Sequence, residues 1–274
     1  MAEISAAAVK ALRERTGLPM MECKKALLES GGDEAVAVEW LRKQNIKTQE
    51  TRLGRETSAG RLAIYTDGKV GAMIELQCES APVANSPDFI AFAADIAKQL
   101  ATGPGAATPD ELLKQPSSDK KFATLGERKD DMFNRIREVF NLSRVVRFDG
   151  PSAGYVHHSG DIAALVAYEG GDGTVAKDVA MHVTAISPQV VSKEDVDPTA
   201  IDKEREILSE GARKEGKPEN IIVKMVEGRL KNFFAERVLL EQPFVKDDKQ
   251  TVGAMTKKAG VKIKKFVRWQ IGKA

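Results

Sequence analysis

A pattern of strand, turn, strand, break and helix occurs twice in this chain, and it limits the folds open to it. In the later copy Tyr155-Val156-His157-His158 reads as a short strand and Ser159-Gly160-Asp161 as turn chemistry. Ile162-Ala163-Ala164-Leu165-Val166-Ala167-Tyr168 reads as a second, more apolar strand, since an unbroken apolar run between turn residues suits a buried strand. Gly170-Gly171-Asp172-Gly173 then breaks the chain, and residues 175–185 read as a helix stopped by Ser187-Pro188. The earlier copy has a strand at Gly60-Arg61-Leu62-Ala63-Ile64-Tyr65, a hairpin signal at Asp67-Gly68, and a second strand over residues 70–78. Its helix covers residues 89–101 and stops at Gly103-Pro104. The two align directly: Gly68-Lys69-Val70-Gly71-Ala72-Met73-Ile74 on Gly160-Asp161-Ile162-Ala163-Ala164-Leu165-Val166, and Asp95-Ile96-Ala97-Lys98-Gln99-Leu100 on Asp178-Val179-Ala180-Met181-His182-Val183. A repeat longer than a solenoid unit predicts a duplicated subdomain, each half an antiparallel sheet with a helix on one face. The expected class is α+β.

The rest of the chain attaches to that body. Residues 1–45 predict three short helices. Ser5 caps the first, where Val9 and Leu12 share a face, and Gly17 ends it. Pro19 opens the second, with Met20, Met21, Cys23, Ala26 and Leu27, and Gly31-Gly32 stops it. Asp33 caps the third, with Val36, Ala37, Trp40 and Leu41 inward. This bundle resembles a ubiquitin-associated domain, a likeness of fold that does not establish ubiquitin binding. Residues 46–58 are polar and aperiodic and predict a linker, in part helical. In the second strand of the first copy Ala72, Ile74, Leu76 and Cys78 alternate with Gly71, Met73, Glu75 and Gln77, which predicts one buried face.

Thr108-Pro109-Asp110-Glu111 starts a short helix, and residues 122–141 predict a longer one with Phe133, Ile136 and Phe140 at helical spacing. Val145-Val146-Arg147-Phe148 is a strand. Ile201, Leu208 and Ala212, then Ile222, Met225, Val226 and Phe233, flank a turn at Gly216-Lys217-Pro218. They predict a projecting antiparallel coiled-coil hairpin with a thin apolar seam. In a final strand over residues 261–271, Val261, Ile263, Val267, Trp269 and Ile271 share one parity, and Lys262, Lys264 and Arg268 the other. The expected divisions are an N-terminal domain 1–45, a linker 46–58, a core subdomain 59–149, a second core subdomain 150–198 with 237–274, and the hairpin 199–236.

Charge and composition exclude several functions. Forty-two basic residues against 40 acidic leave a net charge of +2, and only 5% of residues are aromatic. Neither a general pull toward nucleic acid or anionic membrane nor a base-stacking surface is expected. No apolar run approaches the ~18 residues of a spanning helix. Met1-Ala2-Glu3-Ile4-Ser5 enters folded-looking sequence without a leader pattern, and Cys23 and Cys78 lack metal-type spacing. Both read as reduced thiols of a cytoplasmic protein.

No catalytic, cofactor or metal pattern stands out. His157, His158 and His182 are the three histidines, and none sits in a His-Glu-x-x-His or Gly-x-Ser-x-Gly setting. His182, among Val179, Val183 and Ala185, reads either as a helix-face histidine with a local hydrogen bond or as a contact residue. No phosphate-cradling Gly-x-x-x-x-Gly-Lys loop is present, so no direct nucleotide binding is expected, and residues 170–173 read as a flexible turn. Lys257, Lys258, Lys262, Lys264 and Lys265 read as a solvated strand face, with weak RNA contact as the alternative.

Leu12-Arg13-Glu14-Arg15-Thr16-Gly17 and Met20-Met21-Glu22-Cys23-Lys24-Lys25-Ala26-Leu27 resemble the N-terminal signature of the bacterial elongation factor Ts family. Ala180-Met181-His182-Val183, Lys224-Met225-Val226-Glu227-Gly228-Arg229 and Gln242-Pro243-Phe244-Val245 continue the resemblance in order over nearly the whole chain. It implies a three-helix domain, a duplicated core and a projecting coiled-coil hairpin. As function it implies guanine-nucleotide exchange on the GTPase elongation factor Tu, with no catalytic residue. The partner-binding positions it implies are Met20, Met21 and Lys24, then Ala81, Pro82 and Val83, then Ile136, His157, His182, Phe244 and Val245. Two departures stand out. Where the family usually has Cys-x-Thr-Asp-Phe-Val-Ala, this chain has Cys78-Glu79-Ser80-Ala81-Pro82-Val83-Ala84. The Asp-Phe pair that the family wedges between helices of its partner is thus Ala81-Pro82. Arg137 stands where the family tends to have glycine. A non-exchanging scaffold or chaperone of the same GTPase, and an RNA-binding accessory protein, are the alternative functions.

Overall fold

A computed structural model of the chain describes residues 4–52, 54–171, 173–216 and 218–273, with the side chains of 45–52 left out. The Met1-Ala2-Glu3 start, Asp172 of the glycine-rich break and Lys217 of the expected hairpin turn lie outside the described residues. The chain divides into two compact units, Met1–Arg61 with Ile74–Val145 and Leu62–Met73 with Val146–Ala274.

Three helices open the first unit: α1 (Ala6–Thr16), α2 (Met20–Glu29) and α3 (Glu34–Arg52). Local chemistry sets their ends. The Ser5 hydroxyl accepts from the Ala8 N–H, Gly17 closes α1 at φ 68°, and Asp33 accepts from the N–H groups of Ala35 and Val36. Val9, Leu12, Leu18, Cys23, Ala26, Leu27, Ala37 and Leu41 form their core. Val36 is not inward as expected but 49% exposed. Ala37 and Leu41 define the buried line one helical step away. The polar stretch read as a linker is helical to Arg52, because no glycine or proline interrupts it before Gly54.

The chain continues through β1 (Ala59–Thr66), β2 (Val70–Cys78), α4 (Ala81–Ala84), α5 (Pro87–Thr102), α6 (Pro109–Leu113), α7 (Leu125–Ile136) and β3 (Asn141–Asp149). The three strands form one sheet in the order β1-β2-β3. β2 is buried on both faces from Val70 to Leu76, not on one, and so it takes in Met73 and even Glu75. Glu75 is 1% exposed and is matched by the Arg144 guanidinium and by Gln77, which donates to it at 2.7 Å. α5 buries Phe89, Phe92, Ala93, Ile96, Ala97 and Leu100 along one stripe. α7 ends at Ile136, five residues before its expected limit. Arg137 takes the left-handed conformation and donates its N–H to the Phe133 carbonyl at 2.7 Å. Phe140 is buried beyond the helix, 5.7 Å from the Phe89 ring, and its helical spacing was fortuitous.

The second unit contains β4 (Ser152–Val156), β5 (Ile162–Glu169), α8 (Thr174–Ile186), α9 (Pro198–Lys214), α10 (Glu219–Arg237), β6 (Pro243–Phe244), β7 (Asp247–Thr251), α11 (Val252–Lys258) and β8 (Lys262–Gln270). β4, β5 and β8 form an antiparallel sheet in that order, and β6 pairs with β7. The apolar run of β5 has a direct cause. Ala164 and Val166 pack with Val179, Ala180 and Val183 of α8, while Ala163, Leu165 and Ala167 pack with Leu62, Met73 and Phe148. β4 ends at Val156, so His157 and His158 lie in the turn and not in the strand.

β8 overturns the single-parity expectation. Ala167 faces Lys265 and Tyr168 faces Ile263, so Lys264 is an extra, bulged residue. A bulge reverses the alternation beyond it. Val261 and Ile263 therefore pack on the α8 side, and Val267, Trp269 and Ile271 on the other. Between α8 and β6, α9 and α10 pack through Ala212, Ile222, Val226 and Leu230, flanked by Ile201 and Leu208. Met225, expected in that seam, is half-buried, and Leu230 takes the place. Helices and strands are mixed along the chain, the β4-β5-β8 sheet is antiparallel, and the class is α+β.

Candidate functional site

In the first unit the elbow after β2 is a single helical turn held by hydrogen bonds to its neighbours. Ala81 and Pro82 occupy the first two positions of α4, where a missing N–H removes no intrahelical bond. The Asn85 side chain donates to the Ala81 carbonyl at 2.9 Å. Glu138, after α7, accepts twice from Ser80: from its N–H at 3.0 Å and from its hydroxyl at 2.6 Å. Glu79 in turn accepts from the Val139 N–H at 2.9 Å and pairs with Arg55 at 3.1 Å. The Cys78 thiol donates to the Ser80 carbonyl, and burial, helped by Glu138, pushes it up to about 11. It stays protonated and unreactive near neutral pH. So fixed, the elbow leaves Ala81 and Pro82 exposed, Val83 half-buried and Ala84 buried.

The segment after α7 that anchors the elbow also reaches α2. Met20 is 49% and Met21 73% exposed, and Lys24 is exposed, on the helix side away from Cys23, Ala26 and Leu27. Glu22, between them, forms an ion pair with Arg137. Residues 136–138 thus join three segments. Ile136 is half-buried at the end of α7, Arg137 binds α2 and Glu138 binds the elbow. Sequence reasoning assigned no role to Glu22 or Glu138. Their partners lie 115 and 58 residues away, a separation that no periodicity reports.

In the second unit His182, Phe244 and Val245 are one constellation. His182 has no exposed surface. The Val245 N–H donates to its Nδ1 at 3.2 Å, so Nε2 carries the proton and donates to the Gln242 Oε1 at 2.9 Å. Gln242 closes the chain by donating to the Glu236 carbonyl at 3.0 Å. Burial holds the imidazole below its ordinary value, against the hydrogen bond that it donates to Gln242, which acts the other way. The hydrogen bonds are long-range, not local, and they occupy both ring nitrogens. Phe244 is also buried, its ring 6.0 Å from that of His182. Val245 is the member that faces outward, 45% exposed. His157 sits apart at the β4–β5 turn, half-buried, with Nδ1 2.6 Å from the Ser159 hydroxyl, which donates to Asp161.

Among the described residues no group of three or more His, Cys, Asp or Glu side chains is placed to hold a metal, and no helix is long and apolar enough to cross a membrane. The arrangement is one of fixed, exposed apolar segments on polar anchors.

The profile of the family described as "Elongation factor TS" matches residues 79–273. The chain is 42% identical over 273 residues to "Elongation factor Ts" of Alkalilimnicola ehrlichii, covering 98% of this chain and 92% of that one. It is 42% identical over 274 residues to the protein of the same name from Methylococcus capsulatus, with the same coverage. Against that of Kineococcus radiotolerans the identity is 40% over 278 residues, covering 99% of this chain and all of the relative.

Proposed function

The chain belongs to the elongation factor Ts family, and from that premise we propose that it acts in the cytoplasm as a guanine-nucleotide exchange factor for elongation factor Tu. The observation that carries this reading is the 40–42% identity to elongation factor Ts chains over 98–99% of this chain, and the elbow clamped by Glu138 supplies a fixed, exposed surface for it. Such a surface needs no catalytic side chain. A GTPase holds its nucleotide through backbone N–H groups and Mg²⁺. A protein that binds best to a distorted nucleotide site lowers nucleotide affinity, and by linkage nucleotide weakens that protein's binding by the same factor. The exchanger is then released as fresh nucleotide enters. Each ~1.4 kcal/mol of coupling changes affinity tenfold.

In this reading α1 to α3 form a ubiquitin-associated-like docking module carrying Met20, Met21 and Lys24. Ile136, His157 and Val245 add contacts, His182 and Phe244 support Val245, and α9 with α10 form a coiled-coil arm. The test is the release of labelled GDP from elongation factor Tu with and without this protein. Faster release supports exchange. Complex formation with unchanged release would move the reading to a non-exchanging scaffold, a reading favoured by the small, exposed Ala81 at the elbow.

A further inference from the structure

We propose that Arg137 is a positioning residue that fixes the Met20, Met21 and Lys24 face of α2 against the end of α7. The backbone makes the first argument. Arg137 has φ 67° and ψ 22°, and with Ser187 it is one of two non-glycine residues with positive φ among those described. That conformation crowds a β-carbon, and glycine takes it freely. A side chain held there calls for a compensating contact. Arg137 has one: its guanidinium, with the side chain 21% exposed, pairs with Glu22 of α2.

A second contact lies beside it. Gly17, at the α1–α2 corner, has φ 68°, and a β-carbon built there would lie 3.1 Å from Cδ of Arg135. The Arg135 stem thus lies along that corner, while its guanidinium meets Asp131 at 2.8 Å and Asp88 at 3.3 Å. The corner and first turn of α2 are held against the last turn of α7 at two points. A module free to reorient would lose that freedom on docking, at a cost to affinity. The Arg137–Glu22 pair removes part of that cost before the partner arrives. The proposal rests on the reading that α2 docks elongation factor Tu.

The test compares Arg137→Gly, Glu22→Gln and the exchanged pair Glu22→Arg with Arg137→Glu. Three quantities are read in the full chain: amide hydrogen exchange of α2, dissociation constant for elongation factor Tu by calorimetry, and GDP release at saturation. Arg137→Gly should keep or raise the thermal midpoint, because glycine relieves the backbone. It should nevertheless speed α2 exchange and weaken binding about threefold, the scale of a partly exposed ion pair, with the saturating release rate unchanged. Glu22→Gln should do the same to α2 and to binding. The exchanged pair should recover α2 protection relative to either single change. Unchanged α2 exchange in both single variants overturns the proposal, and so does faster exchange with unchanged affinity. A wild-type chain that fails to bind elongation factor Tu would instead defeat the functional reading, and the hydrogen-exchange comparison would still decide whether Arg137 positions α2.

Discussion

The elbow at Ala81 to Val83 and the loop at Val245 both expose apolar residues, but their anchors differ in charge and depth. The elbow hangs on Glu138, a half-buried carboxylate that accepts two hydrogen bonds from Ser80. The loop hangs on His182, a fully buried neutral ring that accepts from Val245 and donates to Gln242. A carboxylate suits a site that water reaches, since desolvating an unpaired charge costs several kcal/mol. In the dry interior, a neutral imidazole serves one donor and one acceptor without that cost. The lesson is one of tolerance: water can replace a lost partner at the elbow, and nothing can at His182.

The sharpest break of that contrast is His182→Ala. It strands the Val245 N–H and the Gln242 side chain and leaves a cavity, so urea denaturation should show a loss of about 3–5 kcal/mol. A loss under about 1 kcal/mol would mean that Phe244 packing alone holds the loop. The next change leaves the elbow anchor in place and alters what it presents. Ala81→Asp with Pro82→Phe adds a large apolar ring, and burial of a fraction of it, about 1.4 kcal/mol, would raise the saturating GDP release rate about tenfold. An equal or lower saturating rate would identify Ala81-Pro82 as the fitted form for this chain's own partner.

Ser80→Ala should cost about 1 kcal/mol by the same denaturation assay, since the Ser80 N–H still reaches Glu138 and water replaces the hydroxyl. A cost equal to that of His182→Ala would erase the distinction between the anchors. The smallest effect is with pH. The folded chain holds His182 neutral below its ordinary value of 6.5, so on acidification the unfolded chain takes up that proton first. The contribution is fully present above pH 6.5 and is lost as pH falls from there toward the folded-state value. Urea midpoints between pH 5 and 8 should fall on the acid side in the wild type and fall less in His182→Gln.

Much of the fold was legible in the residues. Ser5, Asp33 and Gly17 marked helix ends because capping chemistry is local. The Asp67-Gly68 hairpin and the repeat of strand pair and helix were equally readable. The candidate site was legible only in part. Val245, Met20 and Met21 are exposed, whereas His182 and Phe244 are buried, a difference that the residues did not signal. Glu138, Glu22 and Gln242 carried no local signal, because each acts on a group far along the chain.

The residues alone thus specified most of the helices and strands, the main turns, and the family to which the chain belongs. Packing chose the faces. β8 keeps one apolar parity from Val261 to Ile271, but its register against β5 skips Lys264 and sends the two ends to opposite sides. α7 has apolar spacing past Ile136, but Arg137 turns left-handed and ends it. Periodicity measures the chain against itself. A bulge or a left-handed residue shifts that phase, and what stabilises the shift is a partner strand or an opposite charge that folding alone brings near.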